Sequence, residues 1–357
     1  MEILFYFLIS LFAILISCII FSNSIEWLGA KLNLSHGITG SILAAVGTAL
    51  PETIVPLVAI FWGINKENFF KVLSGDTSSL NTVNQISIGA IIGAPFMLST
   101  IAFCLIGLSS FIYFKSKRRK SKEITVDKTV LKRDLIFFLL SYSLAFLALF
   151  IDAHFFHVML AIIMICFYLL YLYLSIKEEM NSEYKGEELH ENLDPFLLTK
   201  LFSKLKPTIS LIWFQLIFSL ILLLYSAHHF VEVIKEVSQM FSLPAFIISL
   251  LLTPLATELP EKFNSWMWIR QKKDTLAVGN ISGALVFQST FPVTIGLLFT
   301  SWHVDSLISY LTFVFCLINA AIVLTALLRN KLTYKTFLFC GVFYVVYLVW
   351  VLVSIQP

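Results

Sequence analysis

Gly47-Thr48-Ala49-Leu50-Pro51-Glu52, in the first half of the chain, is matched by Ala256-Thr257-Glu258-Leu259-Pro260-Glu261 in the second half. We call these segments the first motif and the second motif; Thr, Leu, Pro and Glu recur in them at identical spacing. Each motif is followed by a second related stretch, Gly89-Ala90-Ile91-Ile92-Gly93-Ala94 and Gly279-Asn280-Ile281-Ser282-Gly283-Ala284. Two separated stretches in the same order indicate an internal repeat rather than a coincidence of composition.

The composition around the motifs is that of an integral membrane protein. The 357 residues are 58% hydrophobic and only 13% charged, with a mean hydropathy of +0.88. Soluble domains carry about 25% charged residues. Soluble, disordered and collagen-like classes are therefore excluded. A disulfide scaffold is not expected either, because all five cysteines lie in apolar runs, where a free Cys acts as a small hydrophobe.

Ten segments approach or exceed the roughly 20 apolar residues that a helix needs to cross a bilayer core. They lie at approximately 2–22, 37–63, 85–114, 134–152, 154–176, 209–231, 243–269, 276–301, 304–328 and 335–355. The first is not a cleavable signal peptide, because it begins Met-Glu and lacks a basic stretch. We predict an all-α integral membrane protein with ten transmembrane helices.

The basic residues orient these spans. All but four of the 25 Lys and Arg residues fall in the loops that are cytoplasmic if both termini lie outside, as the positive-inside rule requires. The exceptions are Lys66, Lys71, Lys235 and Lys262. The dense cluster from Lys115 to Arg133 is interpreted as a topology anchor, with an anionic-lipid or nucleic-acid patch as the alternative.

The chain divides into two five-helix halves. Residues 1–176 form the first half, with its motif-bearing repeat at about 37–114, and residues 209–357 form the second, with its repeat at about 243–301. A polar stretch, 177–208, is predicted to be a cytoplasmic linker between them. Because each half has an odd number of spans, the second repeat enters the membrane from the opposite side. Inverted repeats of this kind are the architecture of many secondary transporters, whose sites lie near the midplane on interrupted helices.

The motif carboxylates lie in the middle of spans. A carboxylate at the centre of a spanning helix costs about 2.5–3.5 kcal/mol on insertion scales, so Glu52, Glu258 and Glu261 are candidates for function rather than packing. Lys262 is the one basic residue within these spans, and it points about 100° away from Glu261 on an ideal helix. Without ion-pair partners, the carboxylates are expected either to be protonated or to hold a cation.

The two motif prolines favour a bound cation over a protonated carboxylate. Pro51 and Pro260 have no N–H, so the carbonyl groups of Gly47 and Ala256 lose their helical donors. Thr48 shares a helix face with Glu52, as Thr257 does with Glu261. Carboxylate, hydroxyl and freed carbonyl oxygens suit Ca²⁺ or Na⁺. The alternative is a proline kink with a packed, protonated Glu.

The segments resemble the two α-repeats of the sodium/calcium exchanger family, within the cation/Ca²⁺ exchanger superfamily. That family shows Gly-Thr-Ser-Leu-Pro-Glu, then Gly-Asn-x-x-Gly-Ser-Asn, in each of two inverted five-helix halves. The resemblance implies a cation antiporter in which Glu52 and Glu261 are central acidic ligands and Thr48 and Thr257 are accessory oxygen ligands. It also implies that the first and sixth spans slide against the core.

Several positions depart from the family pattern. The serine after each motif Thr is replaced by Ala49 and by Glu258, and the serine of Gly-Ser-Asn by Ala94 and Ala284. Four residues beyond these alanines, where the family has Asn or Asp, the chain has Leu98 and Gln288. Gln288 is the next candidate ligand after the Glu and Thr residues. Asn280 either bonds a neighbouring helix or lies near the ion.

The sequence thus predicts a secondary active antiporter, not an enzyme, that exchanges Na⁺ for Ca²⁺ by alternating access. Three ionised motif carboxylates would give the site up to three negative charges, so the helices reorient only when cations neutralise it. H⁺- or K⁺-coupled antiport and a non-transporting ion sensor are the alternatives. The predicted partners are inorganic cations and the lipid bilayer, with no cofactor and no nucleic acid. The expected location is the plasma membrane, or the inner membrane of a bacterium.

Overall fold

A computed structural model of the chain describes residues 2–31, 44–63, 81–181, 195–201, 206–241, 243–304 and 307–355. Within these ranges the regular elements are helices, apart from one isolated antiparallel bridge between Glu123 and Thr333. A five-residue π-helical stretch, Leu98–Ala102, joins α3 to α4. The α-helices are α1 (Glu2–Lys31), α2 (Ala44–Gly63), α3 (Asn81–Met97), α4 (Phe103–Lys115), α5 (Lys128–Ala148), α6 (His154–Asn181), α7 (Leu197–Leu201), α8 (Ile209–Phe241), α9 (Ala245–Thr257), α10 (Leu259–Arg270), α11 (Asp274–Gln288), α12 (Phe291–Phe299), α13 (Leu307–Leu328) and α14 (Tyr334–Ile355).

Seven helical stretches in the described part of the chain are long and apolar enough to cross a membrane. They correspond to the first, third, fifth, sixth, eighth, ninth and tenth predicted spans. The second predicted span is described only from Ala44, and Pro51–Phe61 is a shorter apolar helix. The fourth corresponds to α5, which begins with charged residues, and the seventh is divided between α9 and α10. The count of ten therefore stays a prediction.

Several helices extend beyond the predicted spans. α1 continues to Lys31, α6 to Asn181 and α8 to Phe241. The predicted spans end where the apolar residues end, whereas a helix continues into polar residues as long as its backbone hydrogen bonds are made. Residues 23–31, predicted to lie in a loop, are thus helical.

Helix packing relates the two halves. α1 packs against α8. α3 packs against α9, and α2 packs against α11. α5 packs against α11, and α13 packs against α3. α6 packs against α12, and α14 packs against α4. In the order of the predicted spans, α1 corresponds to α8, α2 to α9, α3 to α11, α4 to α12, α5 to α13 and α6 to α14. Exchanging each helix for its counterpart leaves this set of pairs unchanged.

Glycine allows a close approach between α3 and α9. A Cβ added to Gly89 would lie 2.5 Å from the carbonyl oxygen of Phe246, and one added to Gly93 would overlap the carbonyl oxygen of Leu250. The backbones of α3 and α9 are therefore in direct contact, as the small-residue spacing predicts. The Ser249 hydroxyl adds a hydrogen bond of 2.7 Å to the carbonyl oxygen of Ile86.

The second glycine pair is packed differently. A Cβ on Gly283 would lie 3.6 Å from the Tyr171 hydroxyl, an ordinary contact, and one on Gly279 would meet no atom within 4 Å. The Gly-x-x-x-Gly spacing of Gly279 and Gly283 predicts a close helix approach here as well, and this prediction is wrong among the residues that the structure describes.

Two buried carboxylates connect α11 to earlier parts of the chain. Asp274 of α11 contacts the loop that follows α4, and Asp134 of α5 contacts α11. Arg119 and the backbone N–H of Thr125 donate to Asp274. Asp134 accepts hydrogen bonds from Arg133 on Oδ1 and from Ser282 on Oδ2, the latter at 2.6 Å. Two of the basic residues between Lys115 and Arg133 thus hold internal carboxylates.

The α7 segment is joined to the α1/α8 pair by polar contacts. Gln215 of α8 donates to Asn23 and Ser24 of α1 at 3.1 and 2.9 Å, and its Oε1 accepts the Leu198 N–H. Asn23 in turn accepts the Leu197 N–H. The end of the predicted linker is therefore attached to the two helices that the resemblance implies are mobile.

Candidate functional site

The first motif lies within one helix. α2 runs from Ala44 to Gly63 and contains both Pro51 and Pro56. The Glu52 side chain is 4% exposed, and Thr53, Ile54 and Val55, which follow it, are buried. A carboxylate is thus held within the apolar interior, as the motif predicts.

The second motif interrupts its helix. α9 ends at Thr257 and α10 begins at Leu259, with Glu258 between them at φ −94° and ψ 1°. Pro260 occupies the first turn of α10, a position that needs no backbone N–H. The interrupted helix that inverted-repeat transporters place at their sites is therefore present in the second half.

Glu258 is paired with Lys262 across the first turn of α10. The Lys262 Nζ lies 2.6 Å from Glu258 Oε2, and the two side chains are 4% and 0% exposed. The prediction that the motif carboxylates lack ion-pair partners is therefore wrong for Glu258. Lys262 follows Glu258 by four residues, so the two side chains share one helix face, whereas the sequence analysis compared Lys262 only with the adjacent Glu261.

Three hydroxyl side chains lie on one face of α9, up to the point where the helix is interrupted at Glu258. Ser249, Thr253 and Thr257 are spaced by four residues and so share one helix face. The Ser249 and Thr253 hydroxyl oxygens are 3.2 Å apart, and the Thr257 hydroxyl donates to the Thr253 carbonyl oxygen at 3.1 Å. The sequence analysis did not identify Ser249 and Thr253, although three hydroxyl residues at helical spacing in an apolar segment are a readable signal.

Polar residues of α11 contact neighbouring helices. Asn280 donates to the Ser265 hydroxyl of α10 at 3.3 Å, the first of its two predicted roles. Gln288, at the end of α11, is 1% exposed, and its Nε2 has no hydrogen-bond partner among the described residues. The unsatisfied Nε2 has capacity for a hydrogen-bond acceptor, whereas a cation would need the Gln288 Oε1.

One hydrophobic cluster contains residues next to Glu52 and a residue of the second motif. Ile54 and Val55, after Glu52, belong to the same buried cluster as Ala256, which precedes Thr257. Ile86 of α3 and Ile248 of α9 also belong to it. The packing thus joins the helix that carries Glu52 to the helix that ends at Glu258.

Part of the predicted ligand set lies outside the described side chains. This applies to residues 44–50, which include Gly47 and Thr48, and to Pro260 and Glu261. Their roles, and that of the Ala256 carbonyl, remain predictions. Among the residues that the structure describes, no group of three or more His, Cys, Asp or Glu side chains is arranged to hold a metal ion.

Several solved structures share the fold. The crystal structure of the H⁺/Ca²⁺ exchanger CAX aligns with a TM-score of 0.72 and 18% identity, covering 99% of this chain and 86% of that chain. Native YfkE aligns with a TM-score of 0.64 and 14% identity, covering 95% and 91%. The sodium-calcium exchanger NCX_Mj aligns with a TM-score of 0.57 and 20% identity, covering 97% and 98%. At these identities the likeness concerns the fold.

Sequence comparison identifies the family. No curated protein matches the chain. The family model described as sodium/calcium exchanger protein matches residues 2–177 and 211–353, which include both motifs and most of each half. The chain therefore belongs to the sodium/calcium exchanger family.

Proposed function

We propose that the protein is a secondary active cation antiporter that exchanges Ca²⁺ for a monovalent cation by alternating access. The single observation that carries this proposal is the burial of Glu52 and Glu258 in segments that share one hydrophobic cluster. Carboxylates are retained in such surroundings when they bind or move ions. Family membership and the fold of the H⁺/Ca²⁺ and sodium-calcium exchangers support the same function.

The proposed architecture is ten spans in two inverted halves. The packing pairs support it, since they are unchanged when the two halves are exchanged. In this arrangement α1 and α8 form a pair that slides against the remaining helices. The protein is a multi-pass membrane protein, and we place it in the plasma membrane, or in the inner membrane of a bacterium, with both termini outside.

The proposed site uses oxygen from both motifs. Glu52 and Glu261 are the central ligands, and Thr48, Thr257 and the carbonyl groups of Gly47 and Ala256 supply further oxygens. Gln288 is the proposed polar ligand from α11. Glu258 stands beside this set, with Lys262 on one of its two oxygens.

Na⁺ is the proposed coupling ion, and H⁺ is the second candidate. The observation that favours H⁺ is the loss of side-chain oxygens at Ala49, Ala94, Ala284 and Leu98, because a proton needs one carboxylate whereas Na⁺ needs several ligands.

The test is Ca²⁺ uptake by proteoliposomes under imposed Na⁺, K⁺ and H⁺ gradients, each applied separately. We expect uptake only when the coupling ion is present inside, and an outward gradient of that ion should drive accumulation. Uptake without any internal counter-ion would indicate a channel. Absence of Ca²⁺ movement under all three gradients would contradict the proposed function and would favour an ion sensor.

A further inference from the structure

Three loops at one end of the helix bundle are joined by direct contacts. The loop after α4 pairs with the loop between α13 and α14, where the Ile124 N–H donates to the Leu332 carbonyl oxygen at 3.1 Å. The same loop is held to the start of α11 by the buried pair of Arg119 and Asp274, whose Nη1 and Oδ1 atoms are 2.8 Å apart. The loops before α11 and before α14 are thus fixed relative to each other through the loop after α4.

The joined loops and the helix ends next to them form one strongly basic surface, which we call the basic face. It consists of the exposed side chains of Lys115, Lys117, Arg118, Lys120, Lys122, Lys128, Lys132, Arg270, Lys272, Arg329, Lys331 and Lys335. Within residues 115–133, 270–275 and 329–335, which the structure describes in full, the exposed acidic residues are Glu123 and Asp127. The basic face therefore carries a large excess of positive charge.

The basic face lies where several candidate membrane helices begin or end. Thr82–Lys115 and Leu307–Leu328 end there, and Asp274–Phe299 and Tyr334–Ser354 begin there. All four are long and apolar enough to cross a bilayer core, and the polar headgroups begin where that core ends. The exposed side chains of the basic face are therefore next to the lipid headgroups.

The positive-inside rule accounts for basic residues in these loops but not for the assembly of the loops into one surface. The rule concerns the orientation of spans and needs only that the charges lie near the span ends. Fixing many like charges close together destabilises the folded chain through self-repulsion. The backbone pairing and the buried Arg119–Asp274 pair hold the loops together against this repulsion. A negatively charged surface at the same depth would remove the cost.

We propose that the basic face binds the phosphate groups of anionic phospholipids in the surrounding bilayer and that this binding stabilises the folded protein. Arg and Lys are the side chains that bind phosphate oxygens, and each basic residue next to an anionic membrane surface strengthens binding about fivefold. Lipid is favoured over nucleic acid or a free anion, because headgroups lie beside these loops wherever the protein is inserted in a bilayer. The inference does not depend on which ions are transported.

The experiment titrates full-length protein in neutral detergent micelles with short-chain phosphatidylglycerol and, in parallel, with short-chain phosphatidylcholine. A ligand that binds the folded state raises its stability, so the thermal unfolding midpoint is recorded at each lipid concentration. We expect phosphatidylglycerol to raise the midpoint more than phosphatidylcholine does, and high salt to remove the difference by screening exposed charges. K117Q/K120Q/K331Q should raise the half-saturating concentration of phosphatidylglycerol about fivefold for each charge removed.

Two controls accompany this variant. K117R/K120R/K331R keeps the three charges, and K235Q removes a charge of α8 that lies outside the basic face; both should bind phosphatidylglycerol as the wild type does. If K117Q/K120Q/K331Q does not fold, R118Q/R329Q removes charges from the same two loops and takes its place.

Three results would each overturn the inference. They are equal stabilisation by the two lipids, an unchanged half-saturating concentration in the charge-removing variant, and equal stabilisation of the wild type by inorganic phosphate or an oligonucleotide. None of these measurements involves Ca²⁺ movement, so the proposed function is tested separately.

Discussion

The two motifs share Thr, Leu, Pro and Glu but have different backbones. α2 continues through Pro51 and Pro56, whereas the second motif breaks at Glu258 and restarts with Pro260 in the first turn of α10. A proline inside a helix removes one backbone hydrogen bond, at a cost of about 3 kcal/mol, but one at a helix start removes none. A proline motif therefore does not by itself decide whether a helix breaks.

The glycine pairs show the same asymmetry. Gly89 and Gly93 are in backbone contact with α9, whereas an added Cβ at Gly279 or Gly283 would meet no close atom. One half thus uses its small residues to bring helices together, and the other has room at the same positions. The comparison indicates that matched stretches of the two proposed halves differ in packing, which single substitutions at matched positions can test.

The largest expected effect is at the two matched carboxylates. Glu52→Gln and Glu261→Gln should each abolish Ca²⁺ exchange while leaving the protein folded, because each removes one negative charge that the transported cation needs to balance. Exchange is measured in proteoliposomes and folding by size-exclusion profile and thermal unfolding in detergent. Glu236→Gln, at an exposed carboxylate of α8, is the control and should exchange normally. Normal transport by E52Q or E261Q would contradict the site.

The next largest effect is expected at the glycines. Gly93→Ala should lower the free energy of unfolding by about 3 kcal/mol, the upper part of the usual range for overpacking, because its Cβ meets the Leu250 backbone, which cannot move aside cheaply. Gly283→Ala should be neutral or stabilising by up to about 1 kcal/mol, since alanine favours a helix over glycine. Thermal unfolding in detergent measures both.

The two glycine variants are each other's control. They make the same chemical change at corresponding positions of α3 and α11. Equal destabilisation of both would contradict the packing difference between the halves.

The smallest effect is expected where α11 is polar and α3 is apolar. Ser282 donates to the buried Asp134 Oδ2 at 2.6 Å, and the corresponding residue of α3 is the buried Ile92. Ser282→Ala should cost about 1–3 kcal/mol, because a buried carboxylate oxygen loses its donor. Ile92→Val should cost about 0.5–1.5 kcal/mol, the loss of one methylene. Chemical denaturation compares the two, and a neutral S282A would indicate that Asp134 finds another donor.

Individual residues show which features could be predicted from the sequence and which could not. The repeat and the burial of Glu52 could be predicted, because a short motif and a hydropathy profile are local properties. An aspartate at the turn before a helix predicts an N-cap at Asp274, but Lys273 occupies the cap position, and Asp274 accepts hydrogen bonds from Arg119 and from the Thr125 N–H. Its partners lie about 150 residues away along the chain, where no local rule reaches.

Lys262 shows a local relation that the sequence analysis missed. It points about 100° away from Glu261 on an ideal helix, but it follows Glu258 by four residues and so shares a helix face with it. The spacing therefore predicts the Glu258–Lys262 pair, and the structure adds the 2.6 Å distance and the burial of both side chains.

The amino-acid sequence by itself determined the membrane class, the repeat, most of the spans and the carboxylates within them, since each follows from residue type and local spacing. The tertiary structure alone decided where the helix breaks, which glycines contact a backbone and which donors Asp274 accepts from. These features depend on how helices from distant parts of the chain pack, and packing is a property of the whole set of contacts rather than of any one segment.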